Sequence, residues 1–315
     1  MKIAIILFNL GGPDSLDAVR PFLRNLFSDP AIITLPTWLR LPLAGFIASR
    51  RTPKARGIYE KIGGGSPIVG QTEAQARALE QVLGAEHDWR GYVCMRYWHP
   101  MTDAVVRSVR RFAPDRIVLL PLYPQFSTTT TASSFGAWKK ASDFKVPTVE
   151  IESYPTEPGF IRASIELVQQ GLADAGDGRR HVLFSAHGLP EKIVKAGDPY
   201  QAQVEQTAAA IGRHLDGVEW SVCYQSRVGP LKWIGPPTEN EIRRAGAAGT
   251  SVVLYPLSFV SEHSETLVEL DIDYRRLAEQ AGVPKYVRVP TVGTHPHFIH
   301  GLANLVRAAL WSTRS

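Results

Sequence analysis

A chain of 315 residues exceeds the size at which a single hydrophobic core usually stops growing, and predicts two domains. With 44% hydrophobic and 21% charged residues it has the makeup of a soluble globular protein, and no apolar run reaches the roughly 20 residues of a spanning helix. A net charge of +5 without a recognisable nucleic-acid module argues against nucleic acid as a partner, and suits an acidic small molecule or an anionic lipid.

Ile3 to Phe8 is a short apolar run followed by Asn9-Leu10-Gly11-Gly12-Pro13, a buried first strand and its turn rather than a secretory signal. Leu16, Val19, Leu23 and Leu26 recur at helical spacing and predict a helix within Ser15 to Phe27. The stretch 31–47 is apolar, carries Trp38 and Phe46, and runs into Arg50-Arg51-Thr52-Pro53-Lys54 and then Gly63-Gly64-Gly65-Ser66. It suits a lip that covers an apolar ligand or touches a membrane surface. The alternative is a helical hairpin packed on the core, against which Pro36 and Pro42 count, because proline interrupts a regular helix. Thr72 to Leu83 predicts a helix, 92–100 a second strand and its end, Thr102 to Phe112 a helix with Asp103 favouring its start, and 116–127 a third strand running into Tyr123-Pro124-Gln125-Phe126-Ser127.

From 181 onward the pattern repeats. Residues 181–190, 220–230, 251–263 and 286–306 match 2–13, 92–100, 116–127 and 148–168 in order and character, with helices expected over Pro199 to Leu215 and Thr238 to Ala247 between them. Such self-similarity marks a duplicated domain. Strands alternating with helices predict α/β architecture with two similar doubly wound Rossmann-like domains, each on a four-stranded parallel sheet whose strand ends collect ligands. The first half carries the longer connection between its first two strands. Cys94 and Cys223 occupy matched positions, which favours two buried small residues over a disulfide and fits a reducing compartment. Two cysteines also cannot supply the four thiolates of an ordinary iron–sulfur cluster.

The copies differ where chemistry is available. His187 stands at the predicted end of a strand, where its counterpart in the first half is the Asn9-Leu10-Gly11-Gly12 turn, so the fold does not require an imidazole there. A lone histidine is more often a hydrogen-bonded structural residue, whereas a strand end of this architecture favours a functional one. After the third strand of the second copy, Glu265, Glu269 and Asp273 recur every four residues, with Glu262 and His263 just before them. On an α-helix each four-residue step drifts by about 40°, so these carboxylates form one stripe. It is either a solvated acidic face or a ladder of oxygen and imidazole ligands for a divalent metal. A nucleotide fingerprint, a Walker motif and a Gly-x-Ser-x-Gly elbow are all missing, and Gly63-Gly64-Gly65-Ser66 follows no strand. Arg96, Tyr97, Tyr123 and Trp233 sit at strand ends or loops, where packing is the default role.

Taken together, Asn9-Leu-Gly-Gly-Pro13, Arg51-Thr-Pro-Lys54, Ile62-Gly-Gly-Gly-Ser-Pro67, Arg96-Tyr97, Tyr123-Pro-Gln-Phe-Ser127, Phe184-Ser-Ala-His187, Gly197-Asp-Pro-Tyr200, Trp233-Ile-Gly-Pro236 and His263-Ser-Glu-Thr-Leu-Val-Glu-Leu-Asp271 resemble the ferrochelatases, which insert ferrous iron into a porphyrin to make haem. The resemblance spans most of the chain. It implies domains at 1–157, with the apolar and basic lip at about 31–66, and at 158–297, facing across a cleft, with a final helix at about 298–315 packing back on the first. It implies that His187 accepts pyrrole protons or meets the metal, that Glu265 is its partner, and that His263, Glu269 and Asp273 extend a polar path for protons or iron. Arg51 and Ser66 would meet propionates, while Leu10, Tyr59, Arg96, Tyr97, Tyr123 and Trp233 would shape the pocket. The lip resembles that of the membrane-associated, protoporphyrin-using branch, which implies a cytoplasmic enzyme in peripheral contact with the inner face of the membrane. Without a cysteine-bearing tail, and with Thr128 where some relatives carry a cluster cysteine, the expectation is no cofactor beyond substrate Fe²⁺, no iron–sulfur cluster, and a monomer. The rivals are a coproporphyrin-using ferrochelatase, a cobalt or nickel chelatase for another tetrapyrrole, and a tetrapyrrole carrier without chemistry. The last would bury a carboxylate in an apolar cleft to no purpose.

Overall fold

Eight parallel strands alternate with helices in the computed structural model, which describes residues 1–227 and 231–311. They fall into two compact units, Met1–Ser153 with the residues from Leu302 onward, and Tyr154–Gly301. The final helix expected at about 298–315 lies outside the described residues beyond Trp311.

The first unit runs β1 (Lys2–Asn9), α1 (Val19–Phe27), α2 (Thr37–Glu60), α3 (Ile68–Leu83), β2 (Asp88–Met95), α4 (Thr102–Phe112), β3 (Arg116–Pro121), α5 (Thr131–Ala141) and β4 (Thr148–Glu150). Its sheet has the order β2-β1-β3-β4, all parallel. Central β1, of sequence KIAIILFN, is buried at every position after Lys2, as a strand covered by helices on both faces must be. Ala4, Ile6 and Phe8 on one face pack with Val105, Val106, Val109 and Phe112 of α4. Arg307 closes the last helix onto this unit by donating from Nη2 to the Val82 carbonyl at 3.0 Å.

The second unit repeats the plan with α6 (Pro158–Asp174), β5 (Arg180–His187), α7 (Glu191–Lys195), α8 (Tyr200–Gly212), β6 (Glu219–Gln225), α9 (Thr238–Ala247), β7 (Ser251–Pro256), a π-helix (Glu265–Asp273), α10 (Tyr274–Gln280), β8 (Tyr286–Arg288) and α11 (Pro296–Trp311), whose end belongs to the first unit. The sheet order is β6-β5-β7-β8, again all parallel. Each central strand is eight residues long and ends in one register pair, Asn9 with Met95 and His187 with Gln225. Both cysteines are free and buried in the second strand of their sheet, and burial pushes each thiol up to about 12.

Two expectations change. The prolines do not break the 31–47 segment: α2 starts at Thr37, just after Pro36, and continues through Pro42 and Pro53 into the basic stretch. An interior proline removes one ladder bond at a cost of about 3 kcal/mol, which the rest of a long helix and its seat on α1 offset. That seat uses small side chains, Ala44 and Ala48, while Trp38, Leu39, Leu41 and Phe46 stay exposed. Secondly, the acidic segment after β7 is not α-helical. It is a π-helix of nine residues, whose i→i+5 bonds widen the turn.

Candidate active site

β5 delivers His187 as its last residue, and the ring's environment fixes its chemistry. Nδ1 lies 2.9 Å from the Gly188 carbonyl oxygen, which only accepts, so Nδ1 carries the hydrogen and the neutral ring offers its lone pair at Nε2. That Nε2 stands 3.7 Å from Glu265 Oε1. His263 repeats the arrangement, with Nδ1 donating to the Ser261 carbonyl at 3.2 Å and Nε2 4.0 Å from Glu265 Oε2. One carboxylate therefore faces the Nε2 atoms of two imidazoles. The His187 side chain is 41% exposed, Glu265 24% and His263 8%, so the group opens to solvent on the His187 side. Burial pushes the His263 ring below the usual histidine range.

Glu269, one step along the π-helix, completes a carboxylate pair. Ser226 holds it, donating from its backbone N–H to Glu269 Oε1 at 2.9 Å, while its hydroxyl reaches both Glu269 Oε2 and, at 3.2 Å, Glu265 Oε2. Tyr274 adds a third donor to Glu269 at 3.1 Å. Ser226 adopts φ +58°, a left-handed conformation uncommon outside glycine, and that turn directs both its donors at the pair. The two carboxyls are driven apart. Burial and the neighbouring charge of Glu265 push Glu269 above the ordinary range. Burial works in the same direction on Glu265, but His187, His263 and Ser226 outweigh it and hold Glu265 below that range. Glu265 is the group that ionises first.

The other expected residues separate. Asp273 closes the π-helix in an exposed position, and Glu262 belongs to a structural pair with Arg288 at 2.6 Å. Trp233 lies against the turn after His187, since a Cβ on Gly188 would stand 3.2 Å from its ring. In the first unit, Tyr59 and Tyr97 are buried in one cluster, with Leu10 packed against it. Arg96 pairs with Asp29 at 2.7 Å, and Tyr97 donates to the same carboxylate at 2.8 Å. Tyr123 packs in the cluster around Phe8 and Phe135, Ser66 is held by a backbone bond to Pro13, and Arg51 is exposed on α2 over the Phe27 ring. Among the described residues, no group of three or more His, Cys, Asp or Glu side chains is arranged to hold a resident metal ion. Sequence reasoning missed Ser226, Tyr274 and Asp29, which no pattern in the sequence marks.

The family model described as Ferrochelatase matches residues 2–310. The chain is 55% identical over 311 residues to a ferrochelatase of Caulobacter vibrioides, covering 97% of this chain and 90% of that protein. It is 51% identical over 315 residues to one from Phenylobacterium zucineum, covering 98% and 92%. Among solved structures, the sirohydrochlorin chelatase of Bacillus subtilis subspecies spizizenii in complex with cobalt shares the fold, with a TM-score of 0.57 at 12% identity over 99% of this chain and 97% of that one.

Proposed function

This chain belongs to the ferrochelatase family, and from that premise we propose how its residues insert ferrous iron into protoporphyrin to form haem, releasing two protons. The free macrocycle carries two pyrrole N–H protons, and both leave as Fe²⁺ enters, so charge balances. His187 takes a pyrrole proton at Nε2, the lone pair that its Nδ1–carbonyl bond leaves open. Glu265, ionised at 3.7 Å, stabilises the resulting imidazolium. Protons then pass along Glu265, Ser226 and Glu269 toward Asp273, with His263 as a second imidazole beside Glu265. Iron is substrate here, and with the Nε2 lone pair of His187 taken by the pyrrole proton it is Glu265 that meets it on its way into the ring; this chemistry calls on no other cofactor. The observation that carries this assignment is the Nε2 of His187 facing a carboxylate that is ionised first of its pair.

Within the first unit, Arg51 and Ser66 are assigned to the propionates and Leu10, Tyr59, Arg96, Tyr97 and Tyr123 to the macrocycle; within the second, Trp233 is assigned to it beside His187. The exposed Trp38, Leu39, Leu41 and Phe46 on α2, beside Arg50, Arg51 and Lys54, support peripheral contact with an anionic membrane face from the cytoplasm. No helix among the described residues is long and apolar enough to cross a membrane. Anaerobic incubation with Fe²⁺ or Zn²⁺ and protoporphyrin, followed in the visible spectrum, tests the reaction. Metalloporphyrin bands are expected, with coproporphyrin alongside to assign the substrate branch, and no bands with either would overturn the proposal.

A further inference from the structure

We propose that Asp29 is the positioning residue that sets Arg96 and Tyr97 for porphyrin binding, an inference resting on the assignment of those two residues to the porphyrin pocket. Asp29 follows α1, and its side chain is 2% exposed. An ionised carboxylate offers about four acceptor positions, and leaving any of them empty in the interior is costly. Here four donors converge on the carboxylate, three at Oδ2 and one at Oδ1. Oδ2 accepts from Arg96 Nη2 at 2.7 Å, from Tyr97 OH at 2.8 Å and from Ser133 Oγ, and Oδ1 accepts from Ala31 N at 2.9 Å.

Those donors come from three other places in the unit: the end of β2, the first turn of α5, and the turn that leads into α2. A single anion thus ties the strand end to the base of the exposed apolar helix. The tie also selects one geometry of the Arg96 fork. Nη2 is taken by Asp29 and Nε by Ser133 at 2.7 Å, the guanidinium lies 5.1 Å from the centre of the Tyr97 ring, and the remaining N–H groups have no protein acceptor among the described residues. With 21% of the side chain exposed, that edge stays available to an acceptor on a ligand. Tyr97, 1% exposed, cannot reach a ligand with its hydroxyl while it donates to Asp29, so it contributes position rather than contact.

Asp29→Asn keeps the shape and turns half of the acceptor into a donor that faces Arg96 and Tyr97. Steady-state kinetics on the full chain should show KM for protoporphyrin rising about ten-fold, the loss expected for one charge-assisted hydrogen bond, with kcat within about two-fold of the parent. The porphyrin Kd from fluorescence quenching should rise in parallel, and Asp29→Asn combined with Arg96→Leu should bind no worse than Arg96→Leu alone. A folded Asp29→Asn protein with unchanged KM and Kd overturns the proposal, as does a double variant whose losses add. Should Asp29→Asn not fold, Ser133→Ala, which removes one donor from Asp29 and the acceptor of Arg96 Nε, decides the matter: a raised KM at constant kcat supports positioning, and an unchanged KM refutes it. If Arg96→Leu itself leaves Kd unchanged, the pocket assignment has failed rather than the role of Asp29.

Discussion

His187 and Glu265 meet through Nε2, the ring nitrogen that the Nδ1–Gly188 carbonyl bond leaves free, at 3.7 Å. A proton taken from a pyrrole N–H at that nitrogen lands directly beside a carboxylate.

His187→Ala removes that acceptor from a half-exposed site. Metallation should fall by at least 10²-fold, the span typical of a lost general base, while porphyrin Kd changes little. Stopped-flow absorbance with Zn²⁺ and protoporphyrin measures the first, fluorescence quenching the second. Near-parental turnover would remove His187 from the mechanism.

Glu265→Gln and Glu262→Gln separate chemistry from scaffolding. The first leaves the protonated His187 without its counter-charge, and turnover should collapse in a protein of ordinary stability. The second breaks the Glu262–Arg288 pair, whose side chains are 13% and 11% exposed, and should cost on the order of 3 kcal/mol in chemical denaturation with kcat largely kept. Equal losses of turnover in both variants would show that Glu265 has no special role.

Glu269 carries a pH signature. Its carboxyl is raised in the folded state by burial and by Glu265, so the stability it lends is full below the ordinary carboxylate range and is lost as pH rises through the folded value. Glu269→Gln stays neutral throughout. Its Tm should exceed the parent's at pH 7–8, by roughly 2–4 °C for each kcal/mol relieved, and the two should converge near pH 4. A gain that persists or grows at low pH contradicts the raised value.

Trp38→Ser with Phe46→Ser strips the apolar tip of α2. These side chains are 73% and 61% exposed, so folding stability should move by no more than about 0.5 kcal/mol. Sedimentation with anionic phosphatidylserine vesicles should drop, because bound area and basic charge act together there. A large fall in Tm with vesicle binding intact would instead make the segment part of the core.

The sheets and their helices were legible because periodicity is local: α4 and α9 run over the residues that the pattern marks, Thr102–Phe112 and Thr238–Ala247. His187 was legible as the position where two copies of one strand end disagree. The π-helix was not, since composition is the same whether a backbone bond closes four or five residues back. Ser226 and Asp29 were invisible for another reason. Short polar residues in turns gain their roles from partners 39 and 43 residues away for Ser226, and 68 and 104 for Asp29. Proline misled in α2 because a rule about a single bond was applied to a helix of 24 residues.

Because β1 and β5 occupy the same place in sheets of the same order and end in equivalent register, the molecule contains its own control for the imidazole. Asn9 already closes such a strand, its amide donating to Thr72 and its carbonyl accepting from the next backbone N–H. His187→Asn is consequently a swap between siblings: the scaffold has tolerated that residue at this spot once, and whatever activity disappears with it belongs to the ring alone.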